Sequence, residues 1–187
     1  MKRILYIMRD IIAQIFGIIG LIIIVLSFQC KKNRAFFLMQ GSGSLMFSIN
    51  FLLIGAWGGS LFNLCNLLRG TLFSRNPGKV WKLAVIEAAY ALCFIFSVYL
   101  NPTPVQILLA AIPCTALLVN SVYMWRGNPI KIRYNQIFMA SPAWIIHNIF
   151  NFSLGGLVCE SFNIVSSIVY LIRLRWEKKR TTSPENR

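Results

Sequence analysis

Histidine occurs once in this chain, and Asp and Glu together five times, so acid–base chemistry has few places to reside. His147 and Glu160 form the one titratable pair that falls deep inside uncharged stretches. Such a pair can move a proton or gate a solute, or it can be a static hydrogen bond that locks two helices together. The neutral polar residues around them recur at helical spacing. Trp144, His147, Asn148 and Asn151 stand at i, i+3, i+4 and i+7, so they share one side of a helix. Glu160, Asn163 and Ser167 form a second stripe, Asn63, Asn66 and Gly70 a third with Arg69 beside it, and Gln40, Ser44 and Ser48 a fourth. A primary amide both donates and accepts hydrogen bonds. Asn66 and Asn163 therefore suit the walls of a small polar solute site, with Trp144, His147, Asn148, Asn63, Glu160 and Arg69 as further candidates to bind substrate. The competing reading is interhelical glue, worth about 1 kcal/mol per bond.

Other chemistries lack their residues. No nucleophile stands near His147 and Glu160, so no catalytic residue and no enzymatic activity is expected. Gly41-Ser42-Gly43-Ser44 has no lysine and lies in an apolar run, which suits close helix packing rather than phosphate binding. The five cysteines, Cys30, Cys65, Cys93, Cys114 and Cys159, form no CxxC and no Cys/His group at metal-ligand spacing. We expect no disulfide, no metal and no cofactor, with the cysteines serving as small apolar packing residues.

The elements that must position these groups follow from composition. Of 187 residues, 57% are hydrophobic and only 13% charged, with a mean hydropathy of +0.64. That is about half the usual charged share of a soluble domain. Ile11 to Cys30, Ala35 to Leu68 and Ala88 to Trp125 contain no charge at all. A helix needs about 20 apolar residues to cross the hydrocarbon core, so the last two runs hold more than one crossing. A net charge of +14 alone would suggest nucleic acid. Here the basic residues cluster between apolar runs, as in the positive-inside pattern, so the expected surroundings are a lipid bilayer and not nucleic acid.

Proline, glycine and charge divide the chain into seven helix candidates. They run from Ile11 to Phe28, about Ala35 to Ile54, Ser60 to Phe73, Val80 to Leu100, Val105 to Trp125, about Ile132 to Phe152, and Leu157 to about Trp176. The polar segment Glu177 to Arg187 is expected as a cytoplasmic tail without structure. The first segment resembles a signal peptide, but its apolar run is too long and no small-residue cleavage site follows, so it reads as a retained helix. Basic loops (Lys31, Lys32, Arg34; Arg75, Lys79, Lys82; Arg126, Lys131, Arg133; Arg175, Lys178, Lys179, Arg180) alternate with charge-free ones. Seven spans with the C-terminus in the cytoplasm fit that alternation, Lys2, Arg3 and Arg9 being the one violation. Trp57, Trp81, Trp125 and Trp176 fall near helix ends, where an interfacial belt belongs. Pro113 and Pro142 lie inside helices five and six and mark kinks or hinges. Glu87 is expected to pair locally with Lys82, and Arg69 either to reach toward the nearer interface or to counter Glu160.

The pattern also repeats. Gly155-Gly156 follows Gly58-Gly59, and Asn163 follows Asn66, at one offset (156 − 59 = 97; 163 − 66 = 97). At that offset Ser44 falls on Ser141, Asn50 on His147 and Asn63 on Glu160, and helix four is left over. The expected fold is an all-α polytopic membrane bundle of about seven transmembrane helices. Residues 11–75 and 105–176 form two parallel three-helix repeats within a single domain, 1–176, joined by a linker helix at 80–100, with a tail at 177–187. That is the plan of the small carriers called SWEETs and of PQ-loop proteins, whose halves pair; this chain already holds two.

Ala13-Gln14 with Gly17, Asn66 with Arg69, Trp144-Ile145-Ile146-His147-Asn148, Gly155-Gly156 and Glu160 together resemble the YgjV family of bacterial inner-membrane proteins, over Ala13 to about Arg175. The resemblance implies a bacterial inner-membrane location. The function expected is a small-solute transporter or channel with a polar mid-membrane site. The alternative is a non-transporting membrane partner or assembly subunit whose polar stripes serve packing only.

Overall fold

The computed structural model describes residues 2–28, 30, 32–75 and 78–182. All regular structure among them is helical, arranged as seven rods. The first five are α1 (Lys2–Ser27), α2 (Asn33–Leu53), α3 (Trp57–Phe73), α4 (Val80–Leu100) and α5 (Pro104–Trp125). The sixth is composite: α6 (Pro129–Asn135), a π-helical turn (Gln136–Ala140) and α7 (Ser141–Phe150). The seventh is α8 (Leu154–Thr182). Local chemistry sets several of these ends. Thr103 caps α5 by accepting the Gln106 N–H, Asn128 caps α6 by accepting that of Lys131, and Pro104 and Pro129 occupy first-turn positions that need no donor.

Besides starts three residues early for α3, α6 and α8 (Trp57, Pro129 and Leu154 rather than Ser60, Ile132 and Leu157), the structure departs from the sequence expectations in three places. α1 starts at Lys2 rather than Ile11, because nothing between them breaks a helix. α8 continues to Thr182, past the expected end near Trp176. Glu177, Lys178, Lys179 and Arg180 are strong helix formers, and positive charge near a helix C-terminus is favourable. The sixth rod is not one continuous helix. Pro142 has no N–H and its ring crowds the preceding turn; the wider turn before it, closed by Ser141 N–H donating to Gln136 O, relieves that clash.

Among the described residues, five helices are long and apolar enough to cross a membrane: Tyr6–Ser27, Arg34–Leu53, Val80–Leu100, Pro104–Trp125 and Leu154–Glu177. α3 has 17 residues, and the segments of the sixth rod have 7, 5 and 10. Polarity is inverted relative to a water-soluble domain. Ile11, Ile15, Ile18 and Ile22 on α1, Leu92, Ile95, Phe96 and Tyr99 on α4, and Val158, Val165 and Ile172 on α8 face outward. Asn50, Ser121, Ser141 and Asn148 are buried. Hydrocarbon demands this arrangement, since polar side chains there are stable only where other protein groups satisfy them.

The rods form a ring. Neighbours in sequence pack on one another from α1 to α8, and α8 returns to α1. α3 also touches α5, so α4, which packs on both, lies outside the ring. The return contact is backbone on backbone: a Cβ added to Gly155 would stand 2.5 Å from the Gly17 carbonyl carbon.

Two turns match bond for bond. After α2, Ile54 N–H donates to Asn50 O (3.1 Å), Gly55 to Leu52 O (3.2 Å), Ala56 to Phe51 O (2.8 Å) and Ser60 to Ala56 O (3.1 Å). After α7, 97 residues on, Asn151 donates to His147 O (3.1 Å), Phe152 to Ile149 O (3.3 Å), Ser153 to Asn148 O (3.0 Å) and Leu157 to Ser153 O (3.0 Å). Gly55 and Phe152 both have positive φ, 81° and 53°. Left-handed backbone costs an L-residue roughly 1–2 kcal/mol. A Cβ on Gly55 would meet nothing within 4 Å, so Gly55→Ala isolates the backbone cost. We expect it to lower stability by about 1 kcal/mol in thermal unfolding in detergent, with Gly78→Ala, equally open and not left-handed, as the neutral control.

Candidate functional site

Inside the ring lies a cavity of about 240 Å³. Its lining includes Asn63, Asn66, Arg69, Trp144, Asn148, Glu160 and Asn163, joined by Gln40 and Ser44 from α2. His147 is outside it. Consecutive helical residues are about 100° apart, so Asn148 can face the cavity while His147 turns away from it. His147 packs edge-on against Phe51 (5.1 Å between ring centroids) and Trp144 (5.2 Å), and its Cε1 would stand 2.6 Å from a Cβ on Gly59. Phe51 stacks on Trp144 at 5.8 Å, and these two rings form the apolar floor.

One wall is built by the sixth rod and α8. Glu160 Oε2 accepts from Ser141 Oγ (2.6 Å), Gln136 Nε2 (3.3 Å) and Asn163 Nδ2 (3.4 Å). The π turn makes this possible, because it delivers Gln136 and Ser141 to the same carboxylate. The opposite wall comes from α3, α4 and α5. Tyr90 donates to Asn66 Oδ1 (2.6 Å), and the Arg69 guanidinium lies over the Tyr90 ring (5.9 Å) and donates to Ser121 Oγ (3.3 Å). Asn63 donates to Gly59 O one turn earlier in its own helix (2.9 Å). Asn120 and Asn148 also line the cavity, and their amide oxygens make no hydrogen bond.

At the end bearing the basic loops, the lining reaches the helix ends: Phe28 just after α1, Phe36 of α2, Met124 of α5 and Pro129 of α6. Arg133 stands there between two aromatic rings, 5.0 Å from the centroid of Tyr170 and 5.6 Å from that of Phe28. Behind the floor, the end with the charge-free loops is tied shut. Asn50 donates to Ala13 O (2.7 Å) and accepts from Ser153 Oγ (2.8 Å). Gln14 donates to Phe152 O (2.8 Å) and accepts from Leu154 N–H (3.1 Å). These bonds join α1 and α2 to the turn before α8.

Two pairings expected from sequence do not form. No hydrogen bond or ion pair joins His147 to Glu160, and Arg69 donates to Ser121 rather than to Glu160. Both follow from geometry, since Glu160 faces Ser141 and Gln136 whereas His147 faces Gly59 and Phe51. Lys82 donates to the Leu72 and Arg75 carbonyls at the end of α3, and the Glu87 Oε1 atom makes no hydrogen bond. Sequence reasoning missed Gln136, Asn120, Tyr170 and the role of Arg133, which reads as a loop charge. The one available signal was Arg133, Gln136 and Ala140 at i, i+3 and i+7 ahead of a proline.

A family model described as Imp-YgjV, bacterial inner membrane protein, matches residues 11–178. No curated protein and no solved structure matches the chain.

Proposed function

From the premise that the chain belongs to the Imp-YgjV family of bacterial inner membrane proteins, we propose that this multi-pass protein passes a small polar solute through the bilayer. The observation that carries the reading is the cavity. It is lined by polar stripes from several helices, closed by hydrogen bonds at the end with the charge-free loops, and extended to the helix termini at the basic end. In this reading all seven rods span, the basic end faces the cytoplasm, and no covalent step occurs. The matched turns and the shared 97-residue offset support two parallel three-helix halves with α4 between them. The two packing contacts α3 with α5 and α8 with α1 also exchange under that offset. Alternating access then amounts to breaking the Asn50–Ser153 and Gln14–Phe152 bonds while the basic end closes.

Asn66 and Asn163 test the reading. Asn66→Ala and Asn163→Ala should each insert and fold yet lose stabilisation by solute, measured as the shift in unfolding midpoint across a panel of small solutes. Full response in both variants places the site elsewhere.

A second reading, a non-transporting membrane partner, is favoured by one feature: Asn66, Asn63 and Glu160 already have partners within the protein. It expects the same substitutions to lower the unfolding midpoint, by about 1 kcal/mol per lost bond, and no solute to raise it in the unaltered protein.

A further inference from the structure

We propose that the solute is a small anion, held through a carboxylate or phosphate group by Arg69 and Arg133. This rests on the carrier reading and names its substrate class. Both arginines line the cavity, one from α3 and one from α6. A guanidinium carries five donors and a permanent charge. Arg69 uses one of them, in a 3.3 Å bond to the neutral Ser121 hydroxyl, and otherwise rests on the Tyr90 ring. Arg133 is held by the faces of Phe28 and Tyr170. Neither forms an ion pair with a carboxylate among the described residues, and the one acid whose charge acts on Arg69, Glu87 of α4, stands outside the cavity lining. Cations inside a membrane protein normally pair with acids or backbone carbonyls, because unpaired charge there is costly.

The lining does contain one carboxylate, Glu160, but it is committed elsewhere. Its Oε2 is met by Ser141, Gln136 and Asn163, all neutral donors, so its position does not depend on either arginine. The lining thus presents two guanidinium groups against one carboxylate. Ring contacts use none of a guanidinium's N–H donors, and those donors can fork around two oxygens of one anion. Asn66 and Asn163 would then bond the neutral part of the same molecule.

The test is thermal unfolding of the purified full-length chain in detergent, at fixed ionic strength, with inorganic phosphate and succinate as anions, mannitol as neutral solute and choline as cation. We expect a saturable rise of several degrees with at least one anion and none with mannitol or choline. Arg69→Gln and Arg133→Gln should each weaken the apparent affinity about ten-fold or more, since each removes a charge-assisted fork. Arg133→Lys keeps the charge and loses the fork, so it should fall between, and it serves if Arg133→Gln does not fold. Stabilisation by mannitol that persists in both glutamine variants overturns the anion and leaves the carrier reading intact. An anion effect unchanged in both glutamine variants also overturns it, by moving the anion to another surface. Stabilisation by micellar short-chain phosphatidylglycerol but by no free anion reassigns the two arginines to a lipid headgroup, against the proposal. No response to any probe removes the anion and the carrier reading together.

Discussion

Gly155→Ala should destabilise the protein by about 3 kcal/mol, the upper end of the usual cost of overpacking, while Gly17→Ala at the facing position should cost less than about 1 kcal/mol. The two glycines oppose each other where α8 returns to α1, but their missing side chains point at different things. A Cβ on Gly155 would lie 2.5 Å from the Gly17 carbonyl carbon and 2.7 Å from its oxygen. Those are backbone atoms in mid-helix and have no rotamer to escape into, so α1 and α8 must separate. A Cβ on Gly17 first meets the Asn50 amide nitrogen at 3.3 Å, and the Gly155 Cα only at 3.7 Å. A small shift of that side chain accommodates it. Thermal unfolding in detergent of the two single variants decides the matter. Equal losses would mean that the α1–α8 contact is not the backbone approach described, and the ring would need another closure.

Glu160→Leu is the second large effect, expected at about 3 kcal/mol, with Glu160→Gln recovering most of it. Leucine leaves the Ser141 hydroxyl with no acceptor, and a stranded donor costs about 1–3 kcal/mol in a buried setting; it also removes one bond each from Gln136 and Asn163, which keep Ser141 Oγ (2.7 Å) and Cys159 Sγ (3.8 Å). Glutamine retains a carbonyl oxygen at the position of Oε2, where all three converge. The same comparison separates a packing role from a charge role. If Glu160→Gln restores the unfolding midpoint but not the response to solute, the negative charge matters to the cavity beyond holding its wall together. A Glu160→Leu variant as stable as the unaltered protein would show that these bonds contribute little.

The helices were legible because proline and glycine interrupt the apolar runs where the chain turns. Asn101-Pro102-Thr103-Pro104 separates α4 from α5, and Arg126-Gly127-Asn128-Pro129 separates α5 from α6, at the expected residues. The polar stripes were legible for a related reason: helical period converts spacing into a shared side, and Asn63, Asn66, Trp144, Asn148, Glu160 and Asn163 do line one cavity. What spacing cannot convey is which half of a broad stripe turns inward. His147 and Asn148 are neighbours, and only packing against Gly59 and Phe51 assigns His147 to a buried position behind the cavity floor. The π turn was hidden for a similar reason. Pro142 signals a break, but whether the helix kinks or widens depends on what the freed groups find, and here Gln136 and Ser141 find Glu160. Arg133 escaped notice because a positive charge beside a loop ordinarily marks membrane orientation.

Biogenesis inherits a constraint from the matched turns. α3, with 17 residues and Asn63, Asn66 and Arg69 among them, is a poor candidate to leave the insertion machinery alone, and so is the rod broken at Gln136–Ala140. Each is tied by a turn of three residues to a helix that meets the length and hydropathy requirements, α2 in the first case and α8 in the second. If all seven rods span, as proposed above, the unit that enters lipid is the hairpin rather than the single helix, and in each hairpin the apolar arm carries the polar one. In the first the apolar arm emerges from the ribosome first. In the second it emerges last, so the broken rod must wait for Leu154–Thr182 before it can settle.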